Sequence, residues 1–257
     1  MSRAWNFSAG PATLPEPVLA QLRDVLLDFS DCHAGIMEIS HRSPQFEAVL
    51  ASASARLRRV LAVPDDYAVL FLQGGASLQF TMAPLNLCGP DDAMALVDTG
   101  SWSSKALIEA RRCCDARTTF SGRATGYVHV PSAAELDGDA LEGATYLHYC
   151  SNNTIRGTQF TGAPDVDVPL VADLSSDIAS RPVDVARHAL IYAGAQKNLG
   201  PSGVTAVIAS PWTIERSRAV HKLRRGGLPS MLNYALQADK NSMFNTPNTW
   251  GIFVLER

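Results

Sequence analysis

Five polar positions in this sequence could act together as a chemical site, and the sharpest is Lys197. It lies in His188-Ala-Leu-Ile-Tyr-Ala-Gly-Ala-Gln-Lys-Asn-Leu-Gly-Pro-Ser-Gly203. Leu190 to Ala193 read as a short buried strand, and Gly194, Gly200, Pro201 and Gly203 break regular structure after it. A second apolar run, Val204 to Ala209, follows. Lys197 is therefore expected at a strand exit, in a loop of small residues with few carboxylates nearby in sequence. Burial there would favour the neutral, nucleophilic amine that imine chemistry requires.

The other four positions also follow strand-like runs. Gly74-Gly-Ala-Ser77 opens a helix, where backbone N–H groups, the helix dipole and the Ser77 hydroxyl suit a phosphate. It is not the nucleotide P-loop pattern, because no Gly-Lys-Ser/Thr follows. Trp102 could stack on a planar ring, although alone it reads more readily as a core tryptophan. Asp173 ends an apolar strand, and a partly buried carboxylate needs a cationic partner; alone it reads as a helix cap. Thr154 could donate to a ring hydroxyl or a phosphate. Taken together these parts suit pyridoxal phosphate: a lysine for the imine, an aspartate for the protonated pyridine nitrogen, an aromatic face and a glycine turn for the phosphate. Asp173 and Lys197 are 197 − 173 = 24 residues apart, enough for one helix and the next strand.

The elements that must position these residues follow from the hydrophobic rhythm. Residues 1–15 form an irregular arm, because Gly10, Pro11 and Pro15 leave no room for regular structure. Pro17 to Phe29 and Phe46 to Val60 carry apolar residues at helical spacing. From there strands and helices alternate. Strands are expected at Tyr67–Leu72, Ala93–Val97, Thr145–Tyr149, Val168–Ala172 and Leu190–Ala193, and helices at Leu78–Leu87, after Trp102 to about Arg112, and from Thr249 onward. Such alternation implies an α/β fold with a largely parallel sheet, whose ligands sit outside the carboxyl ends of the strands. No internal repeat or low-complexity tract interrupts it. Arg216, Arg218, Lys222, Arg224 and Arg225 read as a solvated helix face.

The bulk numbers narrow the class. The 257 residues are 46% hydrophobic with a net charge of −3, so a core is expected and neither nucleic acid nor an anionic membrane is. Five cysteines without a Cys-x-x-Cys pair fit reduced thiols and a cytoplasmic protein better than a disulfide framework. No apolar run reaches the roughly 20 residues that span a bilayer, no secretory leader is visible, and no metal-ligand spacing occurs.

Seven segments carry a resemblance to a known family. They are Asn6-Phe-Ser-Ala-Gly-Pro11, Met37-Glu-Ile-Ser-His-Arg42, Gln73-Gly-Gly-Ala-Ser-Leu-Gln-Phe80, His148-Tyr-Cys-Ser-Asn-Asn-Thr154, Ala172-Asp-Leu-Ser-Ser176, Ile191-Tyr-Ala-Gly-Ala-Gln-Lys-Asn-Leu-Gly-Pro201 and Ser242-Met-Phe-Asn-Thr-Pro247. In these the sequence resembles the phosphoserine aminotransferases, fold-type I enzymes of the aspartate aminotransferase superfamily. The resemblance implies an aspartate-aminotransferase-like large domain over residues 16–257, with a mainly parallel seven-stranded sheet, and transamination of 3-phosphohydroxypyruvate with glutamate. It implies that Lys197 binds the cofactor covalently and shuttles the α-proton, that Asp173 holds the ring nitrogen protonated, and that Trp102 stacks on the ring. Ala76, Ser77, Thr154 and Gln196 would contact cofactor oxygens. Asn245 and Thr246 would reach the cofactor of a second subunit in a homodimer, and Arg42, with His41 beside it, would bind the glutamate carboxylate. Two departures stand out: position 77 is Ser where some members carry a basic residue, and members continue into a C-terminal small domain, so a truncated chain is expected. The rival readings are another fold-type I enzyme, or a cofactor-binding remnant without turnover.

Overall fold

The computed structural model describes residues 3–257, so the first two residues of the expected arm lie outside the described part. Its helices are α1 (Glu16–Asp24), α2 (Pro44–Leu61), α3 (Gly75–Leu87), α4 (Ser101–Ala110), α5 (Gly138–Leu141), α6 (Pro211–Leu223), α7 (Tyr234–Asp239) and α8 (Thr249–Glu256). Its strands are β1 (Ala68–Leu72), β2 (Ala93–Asp98), β3 (Asp115–Ser121), β4 (Ala144–Cys150), β5 (Asn152–Asn153), β6 (Thr158–Gln159), β7 (Leu170–Asp173), β8 (His188–Gly194) and β9 (Thr205–Ala209). Seven strands make one sheet in the order β1-β9-β8-β7-β4-β2-β3, and β5 and β6 form a small hairpin beside it.

Every neighbouring pair in the run β8-β7-β4-β2-β3 is parallel, whereas β9 is antiparallel to both β8 and β1. Only β9 therefore runs against the rest, and β1, β2, β4, β7 and β8 all end on the same edge. The mainly parallel seven-stranded sheet expected from the sequence is what forms. Its central strands are buried on both faces, which explains their near-continuous apolar character. Alternate residues enter two apolar layers. Val69, Phe71, Ala95 and Val97 pack toward Phe46, Leu50 and Phe253 on one side. Leu70, Leu72, Met94 and Leu96 pack toward Phe80, Leu107 and Tyr234 on the other.

Three differences from the sequence reading have clear causes. The strand β3 is an edge strand of mixed exposure, and its sequence Asp-Ala-Arg-Thr-Thr-Phe-Ser hides the apolar signal that the buried strands show. Helix α1 stops at Asp24 rather than running to Phe29, because Val25 leaves the helical conformation at φ −103° and Leu26 N–H turns back to the Arg23 carbonyl, ahead of turns in which Ser30, Asp31 and His33 adopt positive φ. The arginines near α6 are not all solvated. Arg216 pairs with Asp92 and donates to the Leu87 carbonyl, while Arg224 donates to the carbonyls of Leu85 and Cys88. They bind the last turn of α3, whose carbonyls lack intrahelical partners.

Helix α8 approaches the loop after β8 closely. A Cβ placed on Gly251 would lie 2.6 Å from Val204 Cγ2 and 2.5 Å from Asn248 Nδ2. Asn248 caps α8 by accepting from Gly251 N–H at 2.9 Å, and its Nδ2 donates to the Gly203 carbonyl at 3.3 Å. Gly251→Ala is therefore expected to force the helix outward and to cost about 1–3 kcal/mol, a loss that denaturant titration would detect.

Candidate active site

The shared strand edge carries a cavity of about 390 Å³ whose walls include Ala76, Ser77, Trp102, Asp173, Gln196 and Lys197. Six of the positions singled out in the sequence thus meet in one place. Each arrives by a different route. Gly74 at φ +91° ends the turn after β1 and starts α3, a conformation that favours glycine. No side chain caps α3, so its first N–H groups face outward beside Ala76 and Ser77 with the positive end of the helix dipole. Asp173 is the last residue of β7, and Lys197 follows the end of β8 by three residues.

Lys197 is half-buried. Its Nζ lies 5.1 Å from the centre of the Trp102 ring and 3.5 Å from Thr154 Oγ1, and no carboxylate pairs with it among the described residues. Thr154 also accepts from Trp102 Nε1 at 3.2 Å, so this threonine joins the amine to the indole although it lies outside the cavity wall. The N-terminal arm crosses the same segment: Ala12 N–H donates to the Gln196 carbonyl at 2.8 Å, and Pro11 lines the cavity.

Asp173 is only 5% exposed. Its hydrogen bonds fall on Oδ1, which accepts from Ser175 N–H at 2.9 Å and Ser175 Oγ at 2.6 Å. Burial pushes this carboxyl up from its ordinary range, against the opposing pull of the Ser175 hydrogen bonds and the Lys197 charge. Nearby, His148 Nε2 sits 2.7 Å from the Tyr192 hydroxyl. Burial holds that imidazole down at about 3, so it is neutral at physiological pH and brings no charge to the carboxylate. A cation entering the cavity beside Asp173 would meet a buried acceptor whose second oxygen is uncommitted.

The support of Trp102 was not legible in the sequence. Asn153 is fully buried; its Oδ1 accepts from Trp102 N–H at 3.0 Å and Ser103 N–H at 3.4 Å, and its Nδ2 donates to Thr99 Oγ1 at 2.9 Å. It caps α4 from fifty residues away, and only its place in the Ser-Asn-Asn-Thr segment hinted at a role. Asn153→Ala leaves two N–H groups, one buried and one half-buried, without their acceptor. It is expected to cost about 1–3 kcal/mol, and quenching of Trp102 fluorescence by iodide should rise as the first turn of α4 loosens.

The remaining candidates lie elsewhere. Asn245 is half-buried in a separate small cleft with Gln73 and Met231, and the Thr246 carbonyl accepts from Gln73 Nε2 at 3.4 Å. Arg42 is exposed just before α2, and His41 beside it has its Nε2 buried without a hydrogen-bond partner among the described residues. None of these four lines the 390 Å³ cavity. Conversely Phe80, Cys150, Ser175 and Ser202 line it and were not singled out. No helix of the described residues is long and apolar enough to cross a membrane.

Residues 4–257 match the class-V aminotransferase family. The chain is 48% identical over 255 residues to a phosphoserine aminotransferase of Geobacillus kaustophilus (strain HTA426), covering 99% of this chain and 68% of that protein. Among solved structures it superposes with a TM-score of 0.91 and 44% identity on a phosphoserine aminotransferase studied for radiation damage of its Schiff base, covering 100% of this chain and 69% of the other. The phosphoserine aminotransferase of Trichomonas vaginalis with bound PLP gives a TM-score of 0.90 at 34% identity, over 99% of this chain and 69% of its own.

Proposed function

We propose a function from one premise, that the chain belongs to the class-V aminotransferases and within them to the phosphoserine aminotransferases. These enzymes depend on pyridoxal phosphate, and the residues present fit it: an amine, a buried carboxylate with one free oxygen and an uncapped helix N-terminus converge on one cavity. That convergence carries the reading. The reaction is transfer of the amino group of L-glutamate to 3-phosphohydroxypyruvate, giving O-phospho-L-serine and 2-oxoglutarate for serine biosynthesis, with pyridoxine biosynthesis as a second use.

When bound, pyridoxal phosphate supplies an electron sink for bond breaking at the amino-acid α-carbon. The chain's own residues do the rest. The N–H groups at Ala76 and Ser77 with the Ser77 hydroxyl hold the phosphate. Asp173 Oδ2 keeps a proton on the pyridine nitrogen. Trp102 would cover one ring face and exclude water, while Thr154 and Gln196 would contact cofactor oxygens or the phosphate. Lys197 Nζ would hold the cofactor covalently, and the same amine is placed to accept and return the α-proton. Arg42, with His41, receives the glutamate carboxylate.

We further assign a homodimer in which Asn245 and Thr246 of one copy reach the phosphate site of the other. The arm spans residues 1–15 and the cofactor-binding domain residues 16–257. The free cysteines among the described residues suit the cytoplasm. Spectroscopy of the purified protein tests the proposal. After incubation with pyridoxal phosphate it should be yellow, lose that band on adding glutamate, and regain it with 3-phosphohydroxypyruvate. A colourless protein ends the cofactor reading, and a yellow protein that glutamate leaves unchanged binds the cofactor without turnover.

A further inference from the structure

Ser175 joins two strand exits through one hydroxyl. Its Oγ lies 2.6 Å from Asp173 Oδ1 and accepts the Gly194 N–H at 3.0 Å. A serine hydroxyl has a single hydrogen, and the Gly194 bond occupies an acceptor lobe, so that hydrogen points to the carboxylate. Gly194 ends β8, three residues before Lys197. The Ser175 backbone N–H adds a second bond to the same oxygen, and the residue is 7% exposed. The carboxylate is thereby fixed in rotation and saturated on Oδ1, and the same hydroxyl sets its distance from the strand that delivers the lysine.

We propose that Ser175 is the positioning residue of this site, which holds Asp173 ionised with Oδ2 offered to the cavity and so decides whether a pyridine nitrogen bound there stays protonated. This rests on the pyridoxal phosphate reading above. The physical argument is a balance. Burial alone favours the neutral acid, and neutral acid cannot stabilise a pyridinium. Two short hydrogen bonds to one oxygen favour the charged form. Of the other groups near Asp173, Cys150 and Tyr192 are buried and have proton affinities raised by that burial, so they bring no charge of their own. The Asp177 carboxylate, paired with Arg181, adds to burial in favouring the neutral acid. His148 is neutral. Only Ser175 and Lys197 oppose burial from nearby, and the lysine is consumed by the cofactor.

The test uses the holoenzyme loaded with cofactor labelled with ¹⁵N in the ring. In the wild type the ring nitrogen should give the protonated shift between about pH 6 and 9. Ser175→Ala should move it toward the unprotonated position and lower kcat by about tenfold or more. Ser175→Thr, which keeps the hydroxyl, should restore both. A ring-nitrogen shift in Ser175→Ala equal to wild type overturns the proposal, as does an equal change in the Ala and Thr variants. Should the Ala variant not fold, Ser175→Cys replaces it, because a thiol is a weaker donor of similar size. A second readout needs no cofactor. In ¹³C-labelled apoprotein the Asp173 carboxyl should titrate at higher pH in Ser175→Ala than in wild type, and an unchanged midpoint also overturns the idea. A wild-type protein that takes up no cofactor would sink the functional reading, while the apoprotein titration would still decide the role of Ser175.

Discussion

Lys197→Ala is expected to abolish covalent cofactor attachment and to lower turnover by at least about 10⁴-fold, the scale of losing a positioned base together with a nucleophile. The fold should be nearly unaffected. Lys197 Nζ makes one hydrogen bond, at 3.5 Å to the exposed Thr154, and one contact with the Trp102 ring, so its removal belongs with substitutions that change stability by within about 0.5 kcal/mol. Borohydride separates the outcomes. Reduction of the wild-type holoenzyme should fix the cofactor to the peptide containing Lys197, and mass spectrometry should find no such adduct in the variant. An adduct on another lysine would remove Lys197 from the site. Because the cavity walls persist, the variant should still bind the cofactor noncovalently, with Trp102 fluorescence quenched as it fills.

Asp173→Asn is expected to move activity and stability in opposite directions. On the proposed function it removes the acceptor that would keep a ring nitrogen protonated, and losing one partner of a buried charge pair should cost about 10²–10³-fold in kcat/KM. In the apoprotein the same change removes a buried carboxylate. Burial raises the folded-state proton affinity of Asp173 above its ordinary value, so the folded chain binds this proton more tightly than the unfolded chain. The stability so gained is full at pH below about 4, the ordinary aspartate value, and is lost as pH rises toward the folded-state value. At neutral pH the carboxylate is therefore a burden to the apoprotein. Asparagine keeps the Oδ1 acceptor for Ser175, so the apo variant should melt about 2–4 °C higher at pH 7, for about 1 kcal/mol. The gap should close as pH falls toward 4. An apo variant that melts lower than wild type at pH 7 would show that Asp173 is already satisfied without a ligand.

The sheet was legible because its central strands are buried on both faces and read as apolar runs separated by Gly-rich and polar exits. The exits in turn pointed to the candidate site, since Asp173 ends one strand and Lys197 follows the end of the strand paired with it. What escaped was held by long-range hydrogen bonds. Asn153 caps α4 across 51 residues to Trp102, and Ser175 bridges to Gly194 across 19; neither pairing has a periodicity to reveal it. Strand β3 escaped for a different reason, because an edge strand with one wet face needs no continuous apolar run. Arg42, His41, Asn245 and Thr246 lie outside the cavity, and only the family resemblance, not their spacing, had tied them to it.

The hydrogen bond between Ala12 N–H and the Gln196 carbonyl has a consequence for biogenesis. Its two ends are 196 − 12 = 184 residues apart. At about 5–20 residues per second, a ribosome needs about 10–40 s after making the first partner to make the second. Throughout that interval the opening stretch, with Trp5 and Phe7 at 91% and 90% exposure even in the finished fold, has no native place to dock. Nascent chains should therefore present an aromatic, protease-accessible segment around Trp5 and Phe7 to chaperones until the lysine loop has left the exit tunnel.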